Sequence, residues 1–290
     1  MDWSVAADSR CVVAERPVWD ARTASLYWVD CLRGEVHRRR DPAPGEVVWR
    51  SGSTAGAAVL REDGGLAVAA GGSVVFLDEE GTQDRPPIEV DQMSEGSRFN
   101  DAVCDPAGRL LAGTTSGTTP GSGMLFSIDS DRTVRRLLDG LSESNGLGWS
   151  PDGSVFYHVD SGGAGLRAFD YEMESGTLHG ERLLMSFADA EGIPDGLSVD
   201  RDGDLWIAVW AGGQILRVSP DGRVRQRIDV PVSHPTCVTF GGTGLRELFL
   251  TSATYGLSDR AQREQLAPGG VLVARPGVAG MAPARLAASR

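Results

Sequence analysis

No stretch of the 290-residue chain approaches the ~18 consecutive apolar residues of a membrane-spanning helix, so no membrane span is expected. The opening MDWSVAADSR lacks a basic n-region and an apolar h-region, so no secretory leader is expected and the protein is placed in the cytoplasm. Long helical periodicity is missing too. The best helix candidate, around Ser258–Gln265, reads as a loop or a single turn. There is no GxSxG elbow and no Ser–His–Asp set, which disfavours a serine hydrolase. No GxGxxG follows a strand and opens a helix, which leaves a dinucleotide cofactor unsupported. The four cysteines, Cys11, Cys31, Cys104 and Cys237, form no CxxC pair and read as buried thiols in a reducing compartment. Positive charge is in short supply, with Lys+Arg 28 against Asp+Glu 40 and a net charge of −12. Such a surface repels phosphate backbones, so nucleic acid is not an expected partner, while a cation is compatible with it.

Glycine, by contrast, is abundant, and it falls at intervals between short apolar runs, as turns require. One pattern recurs along the chain: a tight polar turn followed by a β-rich run. The copies are WDARTASLYWVD (19–30), REDGGLAVAA (61–70), DPAGRLLAGT (105–114), SPDGSVFYHVDS (150–161), DRDGDLWIAVW (200–210) and GGTGLRELFLTSA (241–253). Their spacing is about 40 to 50 residues, the period of propeller blades. Each is followed by a Gly and a second strand, such as GEVHRR (34–39), GMLFSID (123–129) or GVLVAR (270–275). With flanking apolar segments this makes four strands per unit. The expected fold is all-β, a six-bladed β-propeller of four-stranded antiparallel blades occupying residues 1–290 as one domain. The WSVAA segment at the start is expected to complete the last blade by pairing with VLVAR.

In a propeller the innermost strands line a central channel, so residues just upstream of each turn gather at one mouth. Four segments share that phase: AERPVW (14–19), RFNDAV (98–103), ESNGLGW (143–149) and IPDGLSV (193–199). The repeat therefore directs Glu15, Asn100 or Asp101, Asn145 and Asp195 toward a common axis. Carboxylate and amide oxygens in that number suit one hard divalent cation. The competing explanation is local, because Asn-Gly and Asp-Gly are common turn dipeptides.

At these residues the sequence resembles the SMP-30/gluconolactonase/regucalcin-like family of six-bladed propellers. The resemblance rests on ERPVWD (15–20), RFNDAVCDPAGRLLAGT (98–114), SNGLGWSPDGSVFYHVDS (144–161), PDGLSVDRDGDLWIA (194–208) and HPTCVTFGG (234–242). It implies a metal-dependent hydrolase of sugar lactones or related esters, with the ion held by Glu15, Asn145 and Asp195. Asn100 would lie at the metal or the substrate, and Arg98 would bind substrate. Calcium is the favoured ion, with Mg²⁺, Mn²⁺, Zn²⁺ and Fe²⁺ as alternatives. Two departures stand out. The family's Gly-Glu-Gly-Pro opening is Ala14-Glu15-Arg16-Pro17 here. The loop after LLAGT, where many members carry an acidic residue that touches sugar hydroxyls, is TSGTTPGSG (115–123) and has no carboxylate.

The mechanism implied is polarisation of the lactone carbonyl and activation of a water. Asp195 is the leading candidate for general base, with Asp101 in reserve. Arg98 either binds the substrate or merely neutralises Asp101. Among the histidines, His158 reads as a packed or channel-lining residue, His37 and His179 as exposed, and His234 as a loop residue before blade six, with approach to the channel as the less favoured alternative. Trp149, Trp206 and Trp210 read as packing between blades, with the pocket as the alternative for Trp210, which follows a strand. The expected partner is a small lactone or ester, with the protein a monomer or a weak homo-oligomer. A non-catalytic metal- or ligand-binding propeller, and a phosphoesterase or other metal-dependent reaction on the same scaffold, remain open because fold does not fix function.

Overall fold

Each of the six polar turns closes a β-hairpin, and each hairpin founds one four-stranded antiparallel sheet. The computed structural model describes residues 1–163, 165–188 and 191–288. Within them the six sheets form a ring, a six-bladed β-propeller. Blades 1 to 5 use four consecutive strands each, over residues 14–50, 55–89, 99–141, 144–185 and 193–229. Blade 6 takes three strands from residues 235–274 and its outer strand from the start of the chain, where Ser4–Ala7 pairs with Val271–Ala274. The expected closure is therefore the observed one. The inner strands pack each against the next, with the last against the first, so the ring has no open seam.

Burial follows position in the blade. Inner and second strands such as AGAAVL (55–60) and LWIAVW (205–210) are buried almost throughout, because both sheet faces meet a neighbouring blade. Outer strands such as Val224–Asp229 are mostly exposed and carry the charge. Aromatic contacts join the blades: Trp19 stacks on Phe249 at 5.9 Å, and Trp206 meets Phe240 edge-on at 5.7 Å. Burying each such ring contributes about 1.5–3 kcal/mol. The turn aspartates also bind. Asp200 accepts from the Asp204 main-chain N–H and from the Trp206 indole, each at 2.9 Å, which ties the hairpin to its own second strand.

Three sequence expectations change or sharpen. The 258–265 segment contains a six-residue α-helix, Asp259–Glu264, capped by the Ser258 hydroxyl. His179 is exposed, but His37 is buried. It lies opposite Trp28 in the strand register, stacks on that indole at 5.3 Å, and has Nε2 3.3 Å from Glu35, so the blade face that holds Trp28 also holds the imidazole. All four cysteines are buried and free. No helix among the described residues is long and apolar enough to cross a membrane.

The inner strands run from one mouth of the channel to the other. At the far mouth the C-terminal segment 276–288 crosses the opening, bridging Asp200 through Gly280 and Arg61 through Leu286. Beneath it lies an apolar chamber of ≈ 310 Å³ lined by residues such as Leu60, Leu147, Trp149 and Met281. The polar residues singled out from the sequence gather at the opposite mouth.

Candidate active site

The inner strand of every blade breaks register near its start, between Glu15 and Val18, Ala55 and Ala57, Phe99 and Asp101, Asn145 and Leu147, Pro194 and Leu197, and Pro235 and Val238. A bulge bends a strand and re-aims its side chains. The same irregularity at one phase of six blades turns polar residues into the channel mouth. The glycines after Asn145 and Asp195 serve this geometry rather than a turn, since neither has positive φ. A Cβ on Gly146 would lie 2.7 Å from the Asp195 carbonyl oxygen, and one on Gly196 2.3 Å from the Cys237 sulfur. Only glycine lets adjacent inner strands approach so closely.

The result is a cavity of ≈ 380 Å³, within the range of small-molecule sites. Glu15, Arg98, Asn100, Glu143, Asn145 and Asp195 line it, together with Leu32, Ile193, Trp210 and Tyr255. Leu32, Ile193 and Tyr255 are exposed and form an apolar rim. The chain entering the inner strands is held by aspartates at the ends of second strands. Asp30 accepts from the Val12 N–H at 2.8 Å, and Asp160 accepts from the Glu143 N–H at 2.9 Å.

A hydrogen-bond chain fixes the amides. Arg98 donates to Asn100 Oδ1 at 2.9 Å, Asn100 Nδ2 to Asn145 Oδ1 at 2.8 Å, Asn145 Nδ2 to Ser161 Oγ at 2.8 Å, and Ser161 to the Pro194 carbonyl at 2.6 Å. Every donor in this series points the same way, from blade 3 to the residue before Asp195. Asn100 thus presents its nitrogen to Asn145 and gives its oxygen to Arg98. Asn145 keeps one lone pair of Oδ1 uncommitted.

The carboxylates are crowded and poorly solvated. Burial, reinforced by repulsion from Asp101, pushes Glu15 up to about 8. Burial and then the Glu15 charge raise Asp195 well above the usual carboxylate range. Burial raises Glu143 as well, against the opposing influence of Arg98. Asp195 Oδ1 is buried without a hydrogen-bond partner. Such an oxygen is costly unless something occupies the space before it.

Asp101 stands apart. It does not line the cavity; its carboxylate meets the Arg16 guanidinium at 3.3 Å and accepts from the Ala102 N–H at 2.7 Å. Arg16 therefore neutralises Asp101, and the charge of Arg98 is left to the cavity. Trp210, expected to pack between blades, instead lines the cavity, because it ends its strand at the channel mouth. His234 stacks on it at 4.6 Å and donates through Nδ1 to the Tyr255 carbonyl at 3.0 Å, so it buttresses the rim. His158 is fully buried, with Nε2 2.8 Å from Ser144 Oγ, and burial pushes it down to about 3; it is a neutral packing residue. The side chains that sequence reasoning did not name are Glu143, Ser161 and the rim residues Leu32, Ile193 and Tyr255. Glu143 sits inside a segment already at the right phase, but its direction depends on a bridge to Thr115 in another blade.

Among the described residues no three or more His, Cys, Asp or Glu side chains gather as a metal cluster. The set that fits an ion is mixed: two carboxylates, Glu15 and Asp195, and the Asn145 amide oxygen. Its chemistry is that of a hard, oxygen-preferring cation, and the unpartnered Asp195 oxygen is consistent with one.

Comparison with known proteins agrees with the fold. The region described as SMP-30/Gluconolactonase/LRE-like matches residues 13–254. The chain is 34% identical to regucalcin of Xenopus laevis over 95% of each chain. It is 36% identical to a 6-deoxy-6-sulfogluconolactonase of Pseudomonas putida, covering 93% of this chain and 94% of that one. A solved luciferin-regenerating enzyme superposes with a TM-score of 0.89 at 28% identity, covering 99% of both chains. The match over residues 13–254 and the near full-length similarity lead to one conclusion: the chain belongs to the SMP-30/gluconolactonase/LRE-like family.

Proposed function

We propose that the protein hydrolyses a lactone of the sugar type, opening the ring to the hydroxy acid, with one divalent cation held by Glu15, Asn145 and Asp195. The observation that carries this reading is the buried, unpartnered oxygen that Asp195 brings to a cavity shared with Glu15 and Asn145. The relative named a lactonase supports the reaction class. Calcium suits an all-oxygen set, with Mg²⁺, Mn²⁺, Fe²⁺ and Zn²⁺ as alternatives. When bound there, the cation supplies Lewis acidity toward the ring carbonyl.

The chain's own residues do the rest. Asp195 takes a proton from the attacking water as the water oxygen bonds to the carbonyl carbon. The ring C–O bond then breaks, and the same proton passes to the departing ring oxygen, so no net proton is consumed in the opening. Arg98 uses one nitrogen to hold Asn100 and directs its remaining N–H groups at the oxygen on which charge develops. Asn100 orients Asn145 rather than ligating. Asp101, committed to Arg16, anchors the inner strand. A single guanidinium in an otherwise acidic cavity fits a neutral ester better than a phosphate monoester.

The test is acid release from a panel of lactones, an aryl ester and a phosphate monoester, using chelator-stripped protein and each of the five cations in turn. Cation-dependent lactone opening is expected, with Asp195→Asn lowering kcat/KM about 10²–10⁴-fold. Turnover that survives stripping would sink the cation's role. Cation binding without turnover of any substrate would favour a binding protein instead.

A further inference from the structure

Glu143 has no part in the chemistry proposed above, yet it lines the same cavity as Glu15, Asn145 and Asp195. Its main chain is held on three sides. The N–H donates to Asp160, the carbonyl accepts from the Ser161 N–H at 3.0 Å, and the residue bridges Thr115 at the start of the 115–123 segment. The side chain is therefore delivered to a defined point on the wall. Its carboxylate shares the cavity wall with Arg98, whose charge opposes the rise that burial causes. The half-buried carboxylate is open to water in the cavity, and a ligand hydroxyl can take the place of that water.

The neighbouring 115–123 segment has no carboxylate, and no residue of it lines the cavity, whereas Glu143 does. Among the described residues, Arg98 is the only basic side chain lining the cavity, against the three carboxylates of Glu15, Glu143 and Asp195. A divalent cation together with Arg98 offsets those three charges and leaves no surplus for a second anion. The rim of Leu32, Ile193, Trp210 and Tyr255 adds no cation.

We infer that Glu143 determines the specificity of this cavity: its carboxylate accepts a hydrogen bond from a hydroxyl of a neutral, polyhydroxylated ring and disfavours lactones that carry a sulfonate, phosphate or carboxylate substituent. The inference rests on the lactone reading of the site, and it separates this protein from the Pseudomonas putida relative, whose name specifies a sulfonated substrate. Selectivity here has both an attractive part, the hydroxyl contact, and a repulsive one, the like charge.

Binding is measured apart from turnover. Calcium-loaded wild type, Glu143→Gln and Glu143→Leu are titrated calorimetrically with 1,5-anhydroglucitol, a neutral hydroxylated ring without a carbonyl, and with its 6-carboxylate counterpart. Wild type is expected to bind the neutral ring about tenfold or more tightly than the anion, the worth of one charge-assisted hydrogen bond and one repulsion. Glu143→Leu is expected to weaken the neutral ring about tenfold. Glu143→Gln keeps a hydrogen bond and should stay within about threefold for the neutral ring while losing the discrimination. For hydrolysis, Glu143→Leu should raise KM for a hydroxylated lactone and leave δ-valerolactone, which has no hydroxyl, unchanged. Equal binding by all three proteins, or a wild type that prefers the anion, overturns the inference. So does abolition of calcium binding in Glu143→Gln, which would make the residue a ligand of the ion. Failure of the lactone reading shows separately, as a wild type that opens no lactone while its binding of the neutral ring still depends on Glu143.

Discussion

The amide nitrogen of Asn100 lies 2.8 Å from Oδ1 of Asn145, and this hydrogen bond joins the inner strands of blades 3 and 4 at the channel mouth. Arg98 holds the other end of the Asn100 amide, so the side chain cannot turn over without losing bonds on both sides. Asn145 in turn is prevented from presenting its nitrogen to the cavity. Outer partners of this sort typically set ligand orientation, and their loss costs 10–100-fold in metal affinity. Asn100→Ala is therefore expected to weaken calcium binding by about 10–100-fold while the fold persists. Calcium titration with circular dichroism on the same samples checks both halves.

The Arg16–Asp101 pair makes a second prediction. Both side chains are nearly inaccessible, at 11% and 5% exposure, and Arg16 also adopts φ 42 in the bulge. Removing one partner of a buried pair costs about 3–5 kcal/mol, whereas the left-handed backbone stores about 1–2 kcal/mol that a glycine would release. Lost pairing outweighs relieved strain. Arg16→Met should lose about 3–5 kcal/mol in urea denaturation, and Arg16→Gly about 1 kcal/mol less. Both should gain more thermal stability from calcium than wild type does, because Asp101 is left uncompensated beneath the site.

Stability of the cation-free protein should fall with rising pH. Glu15 is raised from 4.5 to about 8, and Asp195 shifts the same way. A group whose pKa is higher in the folded state favours folding in its protonated form. Its contribution is complete below about 4.5 and is lost as pH climbs through about 8. The melting temperature of stripped protein should therefore decline between pH 5 and pH 9, and calcium should flatten the decline. Calcium uptake at pH 7 should release protons, detectable as a dependence of the calorimetric heat on buffer ionisation enthalpy. A flat melting profile for the stripped protein would contradict this.

Gly196 offers a purely steric check. A Cβ there would stand 2.3 Å from the Cys237 sulfur and 2.8 Å from the α-carbon of the same residue, so backbone as well as side chain must move. Gly196→Ala should cost about 1–3 kcal/mol, measured by urea unfolding, even though φ itself is permissive for alanine. Adding Cys237→Ala should recover only part of the loss, because the added methyl still collides with the main chain at position 237.

Periodic information carried far in this protein. The turn spacing and the alternation of short strands specify six four-stranded units, and WSVAA at the start completes the blade that VLVAR leaves open. Phase alone directed Glu15, Asn100 or Asp101, Asn145 and Asp195 to one mouth, because residues at equal positions of a cyclic repeat share a radius and a height; only the structure chose Asn100 over Asp101 for the cavity. Direction was less accessible. Asn-Gly and Asp-Gly are indistinguishable from turn dipeptides in a sequence, and only the approach of the neighbouring inner strand shows why Gly146 and Gly196 are needed. His37, read as exposed, is buried because Trp28 opposite it faces a blade from the far end of the chain.

Charge pairing was decided entirely in three dimensions. Arg98 is close to Asp101 in sequence, but Asp101 pairs with Arg16, 85 residues away, and Arg98 turns to Asn100 and the cavity. Glu143 lay in a segment of the right phase without any mark distinguishing a wall carboxylate from a solvated one. The sequence by itself determined the architecture and the ring of residues that meet at its axis, because both depend on repetition. Only the tertiary structure decided which of those charges are spent on one another and which remain for a ligand, because that depends on packing between blades whose residues are distant in the chain.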